Sequence, residues 1–393
     1  MDELVDRSLL DLVETIVDNR GRTCPTATEG TPLIATNCLK DGKRDVVYEN
    51  IRFVDEDTYA NWFRGHPEPG DVLFVCKGSP GRVAVVPDPV PYCIAQDMVA
   101  LRANSTTDPG YLYYRLRSPD VQFGIQNMHV GTMIPHFKKG DFGRLIFPVH
   151  SSLAAQHAIA QVLGALDDKI AANERLVDLA DQYLATVFAR LAANSPSGVL
   201  SMIADVNRAV VKPSLGGALR YVDISAVAQG TYEFPEPITW QSAPGRARRA
   251  LAYGDTVWST VRPNRRSHAL VLDSDPVLVA STGLAVLTPQ AGRIAGLYEA
   301  TRRSEFTHYL GSVAEGSAYP AVNADRFRDA PIPALSEEAW NEFEQEALPL
   351  RQRAHTAVVE TRALRRSRDE LLPLLMSGRI TVKAAEHIVG EVT

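Results

Sequence analysis

Cysteine is scarce in this chain of 393 residues, and all of it lies in the first quarter: Cys24, Cys38, Cys76 and Cys93. With no Cys-x-x-Cys and no paired metal spacing, these thiols form neither a disulfide framework nor a zinc ribbon. They read as reduced, structural cysteines of a cytoplasmic protein. No apolar run approaches the roughly 18 residues of a membrane helix, so no membrane role is expected. The opening "MDELVDRSLLDLVE" is acidic and helix-like, unlike a secretory signal or a transit peptide. Recognisable catalytic signatures are missing too. There is no G-x-x-x-x-G-K-[ST] phosphate loop, no G-x-G-x-x-G and no paired histidine spacing of the H-E-x-x-H kind. Nor is there an Asn/Asp-Pro-Pro-aromatic motif, a nuclease carboxylate cluster or a nucleophile elbow. These absences weigh against an enzyme and leave open only one of unfamiliar sequence.

What is present is an ordinary globular composition, 45% hydrophobic and 22% charged, with a net charge of −6. That balance argues against a protein that coats nucleic acid indiscriminately. Charge is uneven, however. Residues 240–272 hold six arginines, Arg246, Arg248, Arg249, Arg262, Arg265 and Arg266, against the single acid Asp255. A local patch of this kind suits phosphates, although a solvated surface explains the counts equally well.

Two long amphipathic segments dominate the pattern. In "QHAIAQVLGALDDKIAANERLVDLADQYLATVFARL" (156–191), Ile159, Leu163, Leu166, Ile170, Asn173, Val177, Ala180, Leu184, Val187 and Leu191 step by 4 and 3 without a break. This is a heptad seam about 50 Å long, too narrow for the buried face of a globular domain, and it requires one partner helix. Trp340, Phe343, Ala347, Leu350, Ala354, Ala357, Thr361, Leu364, Arg368, Leu371 and Leu375 form the matching seam. Pro349 is expected to kink the second helix or mark where its regular part begins. Asn173, the polar position in the first seam, is expected to fix register.

The segments before the two helices repeat each other. Gly131 and Gly316, Pro135 and Pro320, Phe142 and Phe327, and Pro148 and Pro333 all pair at an offset of 185. Upstream, "PGDVLFVCKGSPGRVAVV" faces "YGDTVWSTVRPNRRSHALV", and "LIATNCLKDG" faces "YVDISAVAQG", in the same order. One repeat used twice accounts for all of these. The expected fold is therefore α+β: two mixed α/β domains separated by two long antiparallel coiled-coil helices, in a pseudo-two-fold internal repeat. The boundaries fall at 1–150 for the first domain and 151–195 for the first helix, with "ANSPSG" (193–198) as linker. The second domain spans 196–335, and the second helix and tail span 336–393.

The candidate binding residues lie on turns of the two domains. The strand–turn–strand "VCKGSPGRVAV" presents Lys77, Ser79 and Arg82, and its glycines let backbone approach a ligand closely. The equivalent turn "STVRPNRRSHA" presents Arg262, Asn264, Arg265 and Arg266; arginine bonds guanine bidentately and asparagine bonds adenine. His129, Thr132, His136 and Lys138 in the first domain, and Ser317, Tyr319 and Asn323 in the second, can share these faces. An ordinary polar hairpin tip is the competing explanation for both turns.

These residues resemble those of the specificity subunit of type I restriction–modification systems. The likeness rests on "GDVLFVCKGSPGRVAVV", "LAAQHAIAQVLGALDDKIAANERLVDLADQYLATVF" and "RDELLPLLMSGRI", and it covers about residues 5–380. It departs in the second helix, where the Gln-x-x-Ile-x-x-x-Leu opening of the first is absent. The resemblance implies two target recognition domains that read a bipartite, non-palindromic double-stranded DNA target. It implies no catalysis and no cofactor on this subunit. S-adenosylmethionine, ATP and Mg are expected on partners, namely two methyltransferase subunits and the restriction/motor subunits. The seam positions carried into this picture are Leu163, Leu166, Ile170, Asn173, Val177, Leu184, Leu350, Ala357, Leu364 and Leu371. A coiled-coil scaffold that binds no DNA, and an atypical methyltransferase or nuclease, stand as the alternatives.

Overall fold

The computed structural model describes residues 3–19, 23–128, 134–213, 216–290, 292–316 and 319–390. In chain order, strands β1 (Leu4–Ser8), β2 (Val13–Val17), β3 (Thr31–Ile34) and β4 (Arg52–Val54) precede helix α1 (Glu56–Asn61). Strands β5 (Val72–Val75), β6 (Val83–Val85), β7 (Cys93–Ile94) and β8 (Met98–Ala103) lead to α2 (Pro109–Arg117), α3 (Pro119–Met128) and β9 (Ile146–His150). The long helix α4 (Leu153–Ala192) follows. Strands β10 (Ser197–Val199), β11 (Ala204–Val206), β12 (Ala218–Val222), β13 (Pro237–Thr239) and β14 (Ala247–Ala250) come next. They continue as β15 (Thr256–Ser259), β16 (His268–Leu270), β17 (Leu278–Ser281) and β18 (Leu284–Pro289). The chain closes with α5 (Ile294–Thr301), α6 (Ser304–Ser312), α7 (Ala324–Arg328), β19 (Pro331–Pro333), α8 (Glu337–Met376) and α9 (Val382–Gly390).

Two compact units result, residues 1–172 with 360–393, and residues 173–359. Each takes one half of each long helix. The first unit has a four-stranded sheet in the order β2-β8-β5-β6, a three-stranded sheet β4-β3-β7 and the pair β1-β9. The second repeats this topology: β11-β18-β15-β16, then β13-β12-β17-β14, then β10-β19. Even the single parallel pairing recurs, β3 with β7 and β12 with β17. The apolar runs "VLFV" and "TVWS" fill the central strands β5 and β15, which are buried along their whole length.

Within each unit the two helix halves run antiparallel. In the first, Lys169 pairs with Glu360 at 3.3 Å and Asp167 with Arg368 at 2.6 Å. Ile159, Leu163, Leu166 and Ile170 share one core with Leu364, Leu371 and Leu375. In the second, Asp181 pairs with Arg351 at 2.8 Å. There Phe188 meets Phe343 and Trp340 with ring centroids 5.1 and 5.9 Å apart. Of the remaining seam positions, Asn173, Leu184 and Ala357 are buried, and Val177 and Leu350 half-buried.

Four local expectations change. The acidic N-terminus is strand, 3-10 turn and strand rather than helix, because Leu4–Ser8 pairs with Ile146–His150. The first helix begins at Leu153, three residues before the seam pattern. Pro349 does not end α8, which runs 40 residues through it; the proline ring is exposed there. The linker "ANSPSG" ends inside β10, whose Ser197–Val199 pairs with Pro331–Pro333.

The helix–domain joints differ between units. Gln156 is buried, donates from Nε2 to the His150 carbonyl at 2.8 Å, and accepts from the Asp108 amide at 2.9 Å. The second helix lacks that glutamine. Glu344 does the corresponding work by accepting from the Ala295 and Gly296 amides, at 2.9 and 3.0 Å, at the start of α5.

Candidate nucleic-acid interface

The β5–β6 and β15–β16 connections are held by one repeated set of backbone bonds. In the first unit the Gly78 amide donates to the Pro135 carbonyl at 2.9 Å, and the Phe137 amide to the Cys76 carbonyl at 2.9 Å. In the second, Arg262 donates to Pro320 at 2.8 Å and Val322 to Thr260 at 2.9 Å. The bridges Lys77–His136 and Val261–Ala321 complete the correspondence. Each hairpin tip thus lies against an extended segment from far along the chain. The first segment is anchored by Phe137, fully buried against Phe74 and Phe142.

This pairing brings Lys77 and His136 together, with Lys138 two residues beyond. Lys77 and Lys138 are exposed; Ser79 and His136 are half-buried. Gly78 has φ of +91°, a conformation open to glycine at little cost. Arg82 sits at the base of the tip with both arms of its guanidinium on Asp41, at 3.2 and 2.8 Å. His129 and Thr132 lie outside the described residues.

Arg262 occupies the position of Gly78, yet keeps a left-handed backbone with φ of +52°. Arg266, closing the same turn, has φ of +56°. Such conformations cost a side-chain-bearing residue about 1–3 kcal/mol each, and they cluster at ligand-binding sites. The Arg262 guanidinium stacks over the Tyr319 ring at 4.7 Å, and Tyr319 is 69% exposed. A planar cation is thereby presented to solvent in a fixed orientation. Arg265 is exposed beside it, and Asn264 is exposed against Gly311 of α6. Arg266 turns inward and donates to the Arg302 carbonyl at 2.5 Å. Asn323 caps α7, accepting from the Arg326 amide at 3.0 Å. Ser317 lies outside the described residues.

The other three arginines belong to the second sheet of this unit, at β14. Arg246 is exposed just before the strand, and its carbonyl accepts from Thr282 at 2.9 Å. Next in the chain, the Gly283 carbonyl accepts from the Thr260 amide at 2.9 Å, so the β17–β18 turn links Arg246 to the Arg262 loop. Arg248 and Arg249 are half-buried, and Arg248 donates to the Ala247 carbonyl at 2.7 Å. Among the described residues Lys77, Lys138, Arg246 and Arg265 have no ion-pair partner, which leaves their charges available to an anionic ligand.

Sequence reasoning missed the polar joints beneath these loops. In the first unit Asp167 receives Arg368 at 2.6 Å and the Tyr114 hydroxyl at 2.7 Å. In the second, Asp181 receives Arg302 and Arg351 at 2.5 and 2.8 Å, and Arg351 also pairs with buried Glu299. Burial pushes the Glu299 carboxyl upward, against the pull of both arginines. No sequence signal joins these partners, which lie up to 201 residues apart. Among the described residues no three His, Cys, Asp or Glu side chains are grouped to hold a metal ion, and no helix is long and apolar enough to cross a membrane.

Comparison with known proteins identifies the fold. The type I restriction modification DNA specificity domain matches residues 24–179. Among solved structures, the S subunit of a type I restriction-modification system from M. genitalium is 16% identical, covering 95% of this chain and 96% of that one with a TM-score of 0.65. The HsdS subunit from Thermoanaerobacter tengcongensis is also 16% identical, covering 96% and 97%, with a TM-score of 0.37. A search of curated proteins gives no match. The chain therefore carries a type I restriction–modification DNA specificity domain over residues 24–179 and, along nearly its whole length, the fold of a type I specificity subunit, which recognises DNA and is not catalytic.

Proposed function

We propose that this chain reads a bipartite, non-palindromic double-stranded DNA target in the cytoplasm, one half-site for each unit. It docks two methyltransferase subunits and the restriction/motor subunits, which carry S-adenosylmethionine, ATP and Mg. The observation that carries this reading is the repeated hairpin: identical backbone bonds present unlike side chains, Lys77-Gly78-Ser79 in one unit and Val261-Arg262-Pro263 in the other. One scaffold with two different reading surfaces suits two different half-sites. Lys77, Ser79, Lys138, Arg262 and Arg265 are the leading readers, with Tyr319 holding Arg262 in plane. The acidic chain neutralises few phosphates, so binding by this subunit alone is weak and salt-sensitive, and the methyltransferase strengthens it.

Methylation mapping of cells carrying this chain and its methyltransferase tests the proposal. Arg262→Ala and Arg265→Ala should each cost about 1–3 kcal/mol on the proper site if they read bases, and relax choice in one half-site only. Lys77→Ala should affect the other half. A continuous or palindromic motif refutes the two-reader scheme. Failure to bind any duplex, with or without the methyltransferase, favours the scaffold alternative.

A further inference from the structure

In the first unit the loop between β3 and β4 reads Lys40-Asp41-Gly42-Lys43-Arg44 and folds against the β5–β6 hairpin. Together with Arg82 of the hairpin, and Arg117 and Gln122 of α2 and α3, it encloses an open cleft of about 210 Å³. Four cations line the cleft against one lining carboxylate, Asp41. Two of them have further partners: Lys40 pairs with Glu49, and Arg117 lies 3.5 Å from Asp167. Positive charge remains in excess, since Asp167 is shared with Arg368.

Asp41 holds Arg82 by both guanidinium arms, in the geometry with which arginine grips a phosphate. The pair is exposed, its side chains 33% and 76% accessible, so it contributes little to folding and is easily exchanged. The loop itself is fixed from below. Arg368 donates to the Gly42 carbonyl at 3.2 Å, Arg44 pairs with Asp168 at 2.6 Å, and the Tyr113 hydroxyl donates to the Lys43 carbonyl at 3.3 Å. In the second unit the equivalent loop keeps the left-handed glycine, Gly230 for Gly42, but has Ala228, Gln229 and Thr231 for Lys40, Asp41 and Lys43. Arg266, in the place of Arg82, turns inward there. The charged cleft belongs to the first unit alone.

We propose that this cleft is a phosphate site, and that Asp41 occupies in the free protein the place taken on binding by one phosphodiester of the DNA backbone. The inference rests on the DNA-reading function above and adds to it a sequence-independent anchor with a built-in competitor. Binding of random-sequence duplex to the full chain, titrated against salt, tests it. Arg82→Gln and Lys43→Gln should weaken binding to every sequence and flatten the slope of log K against log salt by about 0.9 for each phosphate no longer neutralised. Asp41→Asn, which cannot disturb folding through an uncompensated buried charge, should tighten duplex binding about two- to five-fold. Inorganic phosphate, compared with chloride at equal ionic strength, should weaken duplex binding of the unmodified chain more than that of Arg82→Gln. Unchanged affinities and slopes in all three variants, with Arg262→Ala still altering the target, overturn the phosphate site and leave the reading function intact. A melting rise with inorganic phosphate but unaltered duplex slopes makes this a free-anion site and overturns the DNA assignment. Absence of duplex binding by the unmodified chain overturns both.

Discussion

The ion pair between Asp167 and Arg368 offers a quantitative test of how the long helices are held in the first unit. Both side chains are nearly sealed, 4% and 3% exposed, and the Tyr114 hydroxyl donates to the same carboxylate. In Asp167→Ala the guanidinium loses its buried partner and the hydroxyl its acceptor. Breaking a buried pair costs about 3–5 kcal/mol. Arg368 retains Asp369 at 2.8 Å and the Gly42 carbonyl, which places the loss near the lower figure; the stranded hydroxyl adds about 1 kcal/mol. The expected cost is therefore about 4 kcal/mol. Replacing the whole group by apolar residues, Tyr114→Phe with Asp167→Leu and Arg368→Met, removes the desolvation penalty together with the attraction and should return stability to within about 2 kcal/mol of the original. Urea unfolding followed by circular dichroism measures both. A single variant that loses under about 1 kcal/mol, or a triple variant no better than the single, refutes this account of the joint.

Other consequences follow from the same packing. Leu166 is 1% exposed among seam residues of both helices, so Leu166→Asp should unfold or aggregate the chain; the volume-conserving Leu166→Met should cost less than about 1.5 kcal/mol, and equal melting curves for the two would contradict the seam. Burial lowers the His268 pKa to about 4, its ring stacked on Trp258 and its Nε2 without a partner. The unfolded chain then binds the proton first. Stability is full above about pH 6.5, falls by up to about 3 kcal/mol towards pH 4 and levels off below, whereas His268→Gln should flatten that part of the profile. Burial also pushes the Cys76 and Cys93 thiols up to about 12, and all four cysteines are free and buried. Thiol reagents at pH 8 should leave Cys76 and Cys93 unmodified in the native chain and label all four cysteines in denaturant; rapid native labelling of Cys76 would mean that its sheet opens.

The sequence alone determined the two long helices and the duplication, because both are written in local spacing. Steps of 3 and 4 between apolar residues place one face of a helix against a partner, and Ile159, Leu163, Leu166 and Ile170 are indeed buried. Glycines, prolines and aromatics recurring at an offset of 185 preserve turns and core anchors, so the two units share strand order although most of their side chains differ. The Asn323 cap was also locally readable, as an asparagine directly before "ADRFR". Tertiary structure alone decided which charges are engaged and which are free. Arg82 and Arg266 occupy equivalent turns, yet one grips Asp41 at the surface and the other turns inward to a carbonyl of Arg302. Asp167 finds Arg368 only because two helix halves distant in sequence pack side by side. An apolar period needs only the geometry of one element to be read, whereas a charge takes its partner from whichever segments the finished fold brings within hydrogen-bond reach.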